Sequence, residues 1–368
     1  MGWLGERVRR LLRLGRAVET RAPPPRTRGR TDHVILIDGT MSSLEPGRET
    51  NIGQIYRLLA DMPRSARLAV YYEPGVQWAV WRDVAEVVTG RGIDDQIAGA
   101  YGWLASRYRP GDRIFLLGFS RGAFAVRSLA GIIGRVGLLR PDAATERNVR
   151  LAWRYYQQPD RVRGRAEFRR RFCHESVTVE AIGVFDTVKA LGLRLPFLWM
   201  WTEPQHDFHD HRLGEAVRNG FHALALDETR AVYDPILWDG APGPGQRVEQ
   251  VWFRGTHGDV GGHLGGFDAA RPLANVPLVW MLERLEETGL PLPAGWRARF
   301  HADPSAPSVG TWRDWGKLFL LRARRQTGRF PTERIWPGAA GPAAPGPRAA
   351  PADRPAGAAG AAVAGDGS

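Results

Sequence analysis

The segment Arg113-Ile114-Phe115-Leu116-Leu117-Gly118-Phe119-Ser120-Arg121-Gly122 carries an apolar run into Gly-x-Ser-x-Gly and then directly into a helical pattern. A serine on a sharp strand-to-helix turn is the nucleophile-elbow arrangement. Gly118 and Gly122 flank it because side chains there would strike the neighbouring strand and helix. The five-residue pattern alone also describes a tight turn with an N-capping serine, but the strand before it and the helix after it favour the nucleophile. A phosphate-binding loop is disfavoured, since the Lys and Ser/Thr pair of that motif is missing. Ser120 is therefore expected at the carboxyl edge of a sheet.

Serine is a poor nucleophile at neutral pH, so it needs a histidine base, and the histidine needs a carboxylate to fix its tautomer and stabilise the imidazolium. In α/β-hydrolases the partners follow the serine in the order acid, then histidine. Asp186 ends the apolar stretch Val184-Phe185-Asp186-Thr187-Val188, where a sheet presents a residue to a site. His257 follows the strand-like Gln250-Val251-Trp252-Phe253-Arg254 in Gly255-Thr256-His257-Gly258-Asp259-Val260-Gly261-Gly262, whose glycines let it reach over a sheet edge. Taken singly, Asp186 could be a turn former and His257 a loop histidine; their shared order and strand-end positions argue for a triad. Asp259 is the rival acid, although its closeness to His257 in sequence suits it better to orienting the loop. The oxyanion hole is expected to use the backbone N–H of Arg121 and a second from Gly39 or Thr40, with Asp38 bracing that loop. An ordinary Asp-Gly turn is the alternative for residues 38–40.

A second cluster, His206, Asp207, His209, Asp210 and His211, could supply metal ligands. It lacks a paired-ligand spacing and reads better as a polar loop, so neither a metal nor a cofactor is expected. The lone Cys173 excludes an intrachain disulfide, and nothing requires an oxidising compartment.

The elements that must position these residues alternate along the chain. His33 to Ile37, Leu68 to Tyr72, Arg113 to Gly118, Val177 to Phe185 and Val248 to Phe253 read as buried strands. Asn51 to Leu59, Asp94 to Tyr108, Gly122 to about Val136, Leu213 to Leu226 and Val276 to Glu287 read as helices, and 142–172 as a helical insertion. The expected fold class is α/β: an α/β-hydrolase-like, doubly wound, mostly parallel sheet with helical insertions, spanning 31–337. Residues 338–368 are almost wholly Ala, Gly and Pro and are expected to be disordered.

Of 51 Lys and Arg against 39 Asp and Glu, many sit in residues 1–30, so the basic balance is partly a property of that segment. There Trp3, Leu4, Val8, Leu11, Leu12 and Leu14 recur at near-helical spacing among arginines, before Pro23-Pro24-Pro25 stops the pattern. This describes a basic amphipathic helix, suited to a peripheral contact with a membrane surface or to docking on its own domain. No run of apolar residues is long enough to span a bilayer, and the N-terminus lacks a continuous apolar core and cleavage site for export. Synthesis and folding in the cytoplasm are expected, with membrane-peripheral placement or export without a signal peptide as further options. Nucleic acid is not an expected partner.

Over about residues 33–290 these motifs resemble the catalytic domain of type VI secretion phospholipase effectors of lipase family one, long catalogued as an uncharacterised α/β-hydrolase domain. The resemblance is carried by Ile37-Asp38-Gly39-Thr40, Thr50-Asn51, Tyr71-Tyr72-Glu73-Pro74-Gly75-Val76, Gly118-Phe119-Ser120-Arg121-Gly122-Ala123 and Gly183-Val184-Phe185-Asp186-Thr187-Val188. His222-Ala223-Leu224-Ala225-Leu226-Asp227-Glu228 and Val251-Trp252-Phe253-Arg254-Gly255-Thr256-His257-Gly258-Asp259-Val260-Gly261-Gly262 complete it. It implies a Ser-His-Asp triad on Ser120, His257 and Asp186, and hydrolysis of phospholipid acyl esters. Two departures stand out. Met41-Ser42 replaces the family's common Trp-Asn after Asp-Gly-Thr, and a low-complexity tail stands where effectors usually carry a membrane-anchoring module. The expected activity is that of a serine ester hydrolase acting on lipid or other esters. A non-catalytic, membrane-associated protein keeping the hydrolase frame, and a metal-dependent hydrolase using the 206–211 cluster, are the alternatives.

Overall fold

The computed structural model of the chain describes residues 19–21, 29–40, 42–63, 67–75, 91–158, 160–188, 212–312 and 321–339. Seven parallel strands lie side by side in the order β3 (Leu68–Glu73), β2 (Asp32–Ile37), β4 (Arg113–Phe119), β5 (Val179–Phe185), β6 (Val217–Ala225), β7 (Arg247–Phe253) and β8 (Glu333–Ile335). β1 (Glu19–Arg21) adds an antiparallel edge to β3, Glu19 facing Tyr72 and Arg21 facing Val70. The 1–30 segment is thus tied to the sheet at these three residues. Its expected amphipathic helix, the 206–211 cluster and the tail from residue 340 lie outside the described residues.

The central strands read as unbroken apolar runs because both of their faces are covered. Along β2, Val34 and Leu36 join a core shared with α1 (Asn51–Ala60) and α7 (Arg271–Glu287). Ile35 and Ile37 point the other way, into a core built with α2 (Arg91–Ala105), α3 (Arg121–Arg135) and the insertion helices α4 (Glu146–Gln157) and α5 (Val162–Phe172). This period of two, with helices on both faces, is the doubly wound α/β layout expected. Cys173 is a buried free thiol in the second core.

One element differs in kind. The stretch expected as a helix over Leu213 to Leu226 contains strand β6, paired with β5 through Val184 and His222 and with β7 through Ala225 and Phe253. Its last six residues, Gly220 to Ala225, are all buried. A short buried apolar run is compatible with either periodicity, and the vacant place between β5 and β7 outweighs the helix propensity of its Ala and Leu residues. The closing helix also starts earlier than Val276, at Arg271, and continues through Pro277.

Because β2, β4, β5 and β7 run parallel, their carboxyl ends share one edge of the sheet. Asp38, Ser120, Asp186 and the loop leading to His257 all leave from that edge.

Candidate active site

Ser120 joins β4 to α3 with φ 57° and ψ −119°, a conformation that costs an ordinary side chain on the order of 1–3 kcal/mol. The turn is held from both sides: the Ser120 N–H donates to the Phe185 carbonyl at 3.0 Å, and its own carbonyl accepts from Phe124. A Cβ on Gly122 would lie 2.1 Å from the Ile37 carbonyl oxygen, and one on Gly118 would lie 2.5 Å from the Gly122 carbonyl oxygen. Both flanking glycines are therefore required by close backbone approach.

His257 opens the short helix α6 (His257–Gly261). Its Nε2 lies 3.0 Å from Ser120 Oγ, and its Nδ1 lies 2.6 Å from Asp186 Oδ2. The three side chains expected from the sequence thus meet within hydrogen-bonding distance, although 71 residues separate Asp186 from His257 and 137 separate Ser120 from His257. The imidazole packs on the Phe119 ring, and the Tyr233 ring stacks on it at 4.6 Å and 18°. Its backbone N–H donates to Glu228 Oε2 at 3.1 Å. Burial alone would raise the Glu228 carboxyl, but its pair with Arg230 holds it below the usual range.

Asp186 is fully buried, at φ 41°, with its N–H donating to the Ala223 carbonyl at 2.7 Å. Oδ1 accepts from the Ala225 N–H at 3.1 Å and from Arg325 Nη1 at 2.5 Å, while Arg325 Nη2 donates to Oδ2 at 2.8 Å. Burial pushes this carboxyl upward, yet the Arg325 charge and the His257 and Arg325 hydrogen bonds outweigh it and leave it well below the ordinary carboxylate range. Asp186 is therefore an anion throughout the physiological range.

Asp259 is occupied elsewhere. Its carboxylate accepts from the Thr256 N–H and hydroxyl at 2.7 and 2.8 Å, from the Ser308 hydroxyl at 2.5 Å and from the Val309 N–H at 2.8 Å. It caps α6 and pins the histidine loop, as its sequence position suggested.

Asp38 braces the loop after β2 by accepting from the Thr50 hydroxyl, the Tyr72 hydroxyl at 2.9 Å and the Gly39 N–H at 2.7 Å. The last bond corrects the expectation for Gly39: its N–H is committed to Asp38 Oδ1 and is not free to meet a substrate oxygen. The Thr40 side chain lies beside α3, its Oγ1 accepting from the Arg121 guanidinium. Burial lowers that guanidinium to about 10. Gly75 completes the loop, since a Cβ there would fall 1.5 Å from the Gly39 carbonyl oxygen.

Several positioning groups are not singled out by sequence reasoning. Asn51 Nδ2 donates to the Val260 and Ala274 carbonyls at 2.9 and 3.0 Å, Asp227 accepts from the Gly255 N–H at 2.6 Å, and the His222 imidazole accepts from the Thr187 N–H at 3.1 Å. All three lie inside motifs that carry the family resemblance, which is the available signal. Arg325 and Tyr233 lie in none. Among the described residues no group of His, Cys, Asp and Glu could hold a metal ion, and no helix is long and apolar enough to cross a membrane.

Residues 32–284 match the family described as the type VI secretion system phospholipase effector Tle1-like catalytic domain. An uncharacterised protein of Saccharomyces cerevisiae is 30% identical over 235 residues, covering 57% of this chain and 33% of that protein. The chain therefore spans about a third of that curated relative. Among solved structures, an uncharacterised protein from Pseudomonas aeruginosa overlaps 74% of this chain and 49% of its own, with 17% identity and a TM-score of 0.43. A Tle1 effector bound to the VgrG spike overlaps 65% and 52%, with 17% identity and a TM-score of 0.34. Esterase 2 of Thermogutta terrifontis overlaps 76% and 90%, with 15% identity and a TM-score of 0.42. The assignment rests on the family match, with which the enzyme class expected from the elbow, a serine ester hydrolase, agrees. With more than half of its length in that match, the chain belongs to the Tle1-like phospholipase effector catalytic-domain family.

Proposed function

We propose that this chain hydrolyses the acyl esters of phospholipids through an acyl-enzyme formed on Ser120. The observation that carries the reading is the double contact of His257, with Nδ1 on Asp186 and Nε2 on Ser120 Oγ. Asp186 holds the proton on Nδ1, so Nε2 is the basic nitrogen facing the hydroxyl. Nε2 takes the Ser120 proton as Oγ attacks the ester carbonyl, and the resulting imidazolium gives that proton to the departing alcohol. Water then attacks the acyl-enzyme, with His257 again accepting a proton and returning it to Ser120 as the fatty acid leaves.

The oxyanion of each tetrahedral intermediate is met by the backbone N–H of Arg121, at the start of α3, and by that of Thr40. Gly39 is disqualified by its bond to Asp38. Loss of one such donor typically costs about 10²–10³ in kcat. The family match supports phospholipid as the substrate, and peripheral contact of residues 1–30 with a lipid surface would bring the domain to it.

A fluorophosphonate probe and a total lipid extract, each incubated with wild type and with Ser120→Ala, test reaction and substrate together. Labelling of the wild type alone, with free fatty acid and lysophospholipid appearing in its mass spectrum alone, is expected. Equal labelling of both proteins would sink the nucleophile. Labelling without phospholipid turnover would remove the lipid and leave the esterase.

A further inference from the structure

We infer that Arg325 is a positioning residue of the catalytic relay: its guanidinium holds Asp186 against His257 and anchors the aromatic ring that lies on the imidazole. The inference rests on the triad reading above, and it concerns a residue beyond the family match, which ends at 284.

The geometry is a closed bracket. Nη1 and Nη2 of Arg325 reach the two carboxylate oxygens of Asp186 at 2.5 and 2.8 Å, with side-chain exposures of 3% and 0% for the pair. A two-pronged guanidinium–carboxylate contact fixes the carboxylate plane as well as its charge. The same guanidinium donates to the Ala225 carbonyl at 2.8 Å and to the Tyr233 carbonyl at 2.5 Å. It therefore fastens both neighbours of the base: the acid at Nδ1 and the backbone of the residue whose ring stacks on the imidazole. Residues 321–323 deliver it by running alongside 229–231, with the Ala323 N–H on the Thr229 carbonyl and the Ala231 N–H on the Leu321 carbonyl.

The charge has a consequence separate from the geometry. A carboxylate with no cation beside it stabilises the imidazolium of its histidine partner more strongly, because nothing offsets its negative charge. Arg325 opposes that protonation and so widens the range in which Nε2 is free to act as base. Around the pair, Glu228 holds the His257 N–H and is itself matched by Arg230, which lies over the Tyr233 ring; His263 faces His257. Arg121 faces Tyr233 from α3, His222 on β6 lies between the charges of Asp186 and Arg127, and Arg230 also feels the Asp186 charge. Among the described residues, Arg325 is the cation that hydrogen-bonds the Asp186 carboxylate directly.

The test uses the full chain carrying Arg325→Gln or Arg325→Lys, with folding followed by thermal denaturation and kcat/KM on a soluble p-nitrophenyl ester measured across the histidine titration range. For Arg325→Gln, kcat is expected to fall about 10–100-fold, as for loss of other outer supporting contacts, with KM little changed. The acid limb of the profile is expected to move up by about one pH unit. Arg325→Lys keeps the charge but not the fork, so its limb stays at the wild-type position while kcat remains reduced. A Gln variant that folds and loses activity with an unmoved limb would reduce Arg325 to a purely structural role and overturn the inference. If the Gln variant does not fold, the Lys variant decides through its kcat-against-KM split at wild-type thermal stability: a kcat within twofold of wild type, or a loss that falls on KM, overturns the inference, and a kcat reduced about 10-fold or more with KM unchanged supports it. Fluorophosphonate labelling of Ser120 in the wild type reports on the triad itself, so failure of that reading is seen independently of the limb.

Discussion

Asn51 Nδ2 donates at 2.9 Å to the carbonyl of Val260, 209 positions away, so the first residue of α1 grips the helix that begins with His257. Its second donor hydrogen holds the Ala274 carbonyl of α7, and Arg271 donates to its Oδ1. One buried amide thus fixes the place of α6 between two larger helices. Thr50, the residue before it, caps α1 and at the same time donates to Asp38. The adjacent pair couples the loop after β2 to the histidine loop.

Asn51→Ala should therefore do more than lower stability. Taking the Asn51 donor from two buried carbonyls costs about 1–3 kcal/mol, and the loosened α6 should reduce kcat by about 10–100-fold with KM nearly constant, since small misplacements of a base are costly. Steady-state kinetics on a soluble ester beside thermal denaturation separate the two effects. A variant that melts early but turns over at the wild-type rate would confine Asn51 to folding.

The two aspartates near His257 make opposite predictions. Asp186→Asn keeps the shape of the acid but lets the imidazole adopt the wrong tautomer, and kcat should fall by about 10⁴. Asp259→Asn disturbs the cap of α6 and its bonds to Ser308 and Val309, so stability should fall by about 1–3 kcal/mol. Its kcat, measured below the unfolding transition, should stay within about tenfold of wild type, since no contact to the imidazole ring is lost. Comparable losses of kcat in the two variants would return Asp259 to contention as the acid.

What the sequence reveals about this site follows from which contacts are local. Ser120, Asp186 and His257 each sit at the end of a strand whose apolar run marks it, and chain order supplies their roles. β6 reads as a helix because His222 to Leu226 is rich in Ala and Leu, whereas its strand pairing depends on β5 and β7, whose partner residues lie tens of positions away along the chain. Gly39 and Thr40 are equal candidates in the sequence because only the folded loop brings the Asp38 carboxylate onto the Gly39 N–H. Arg325 leaves no trace at all. An arginine in an Arg-rich stretch reads as solvated, and its burial arises from a chain that folds back onto Asp186 across a separation of 139 residues.

Asp38 offers a pH-dependent measure of the loop it braces. Burial pushes its carboxyl from 3.8 up to about 6, even though hydrogen bonds from Thr50, Gly39, Tyr72 and Ser42 pull the other way. The folded value lies above the unfolded one, so between the two the native state binds more protons. The stabilisation linked to this proton is fully present below about pH 4 and is lost as pH rises through about 6. A shift of roughly two units corresponds to about 3 kcal/mol. Asp38→Asn cannot titrate. The stability of wild type relative to the variant should therefore decline by about 3 kcal/mol between about pH 4 and pH 7, whatever the constant offset from lost acceptor oxygens. Urea midpoints taken across that window measure the difference directly, because the other carboxylates are common to both proteins and cancel. Parallel curves would mean that the four donors offset burial completely, and that the loop holds an ordinary carboxylate.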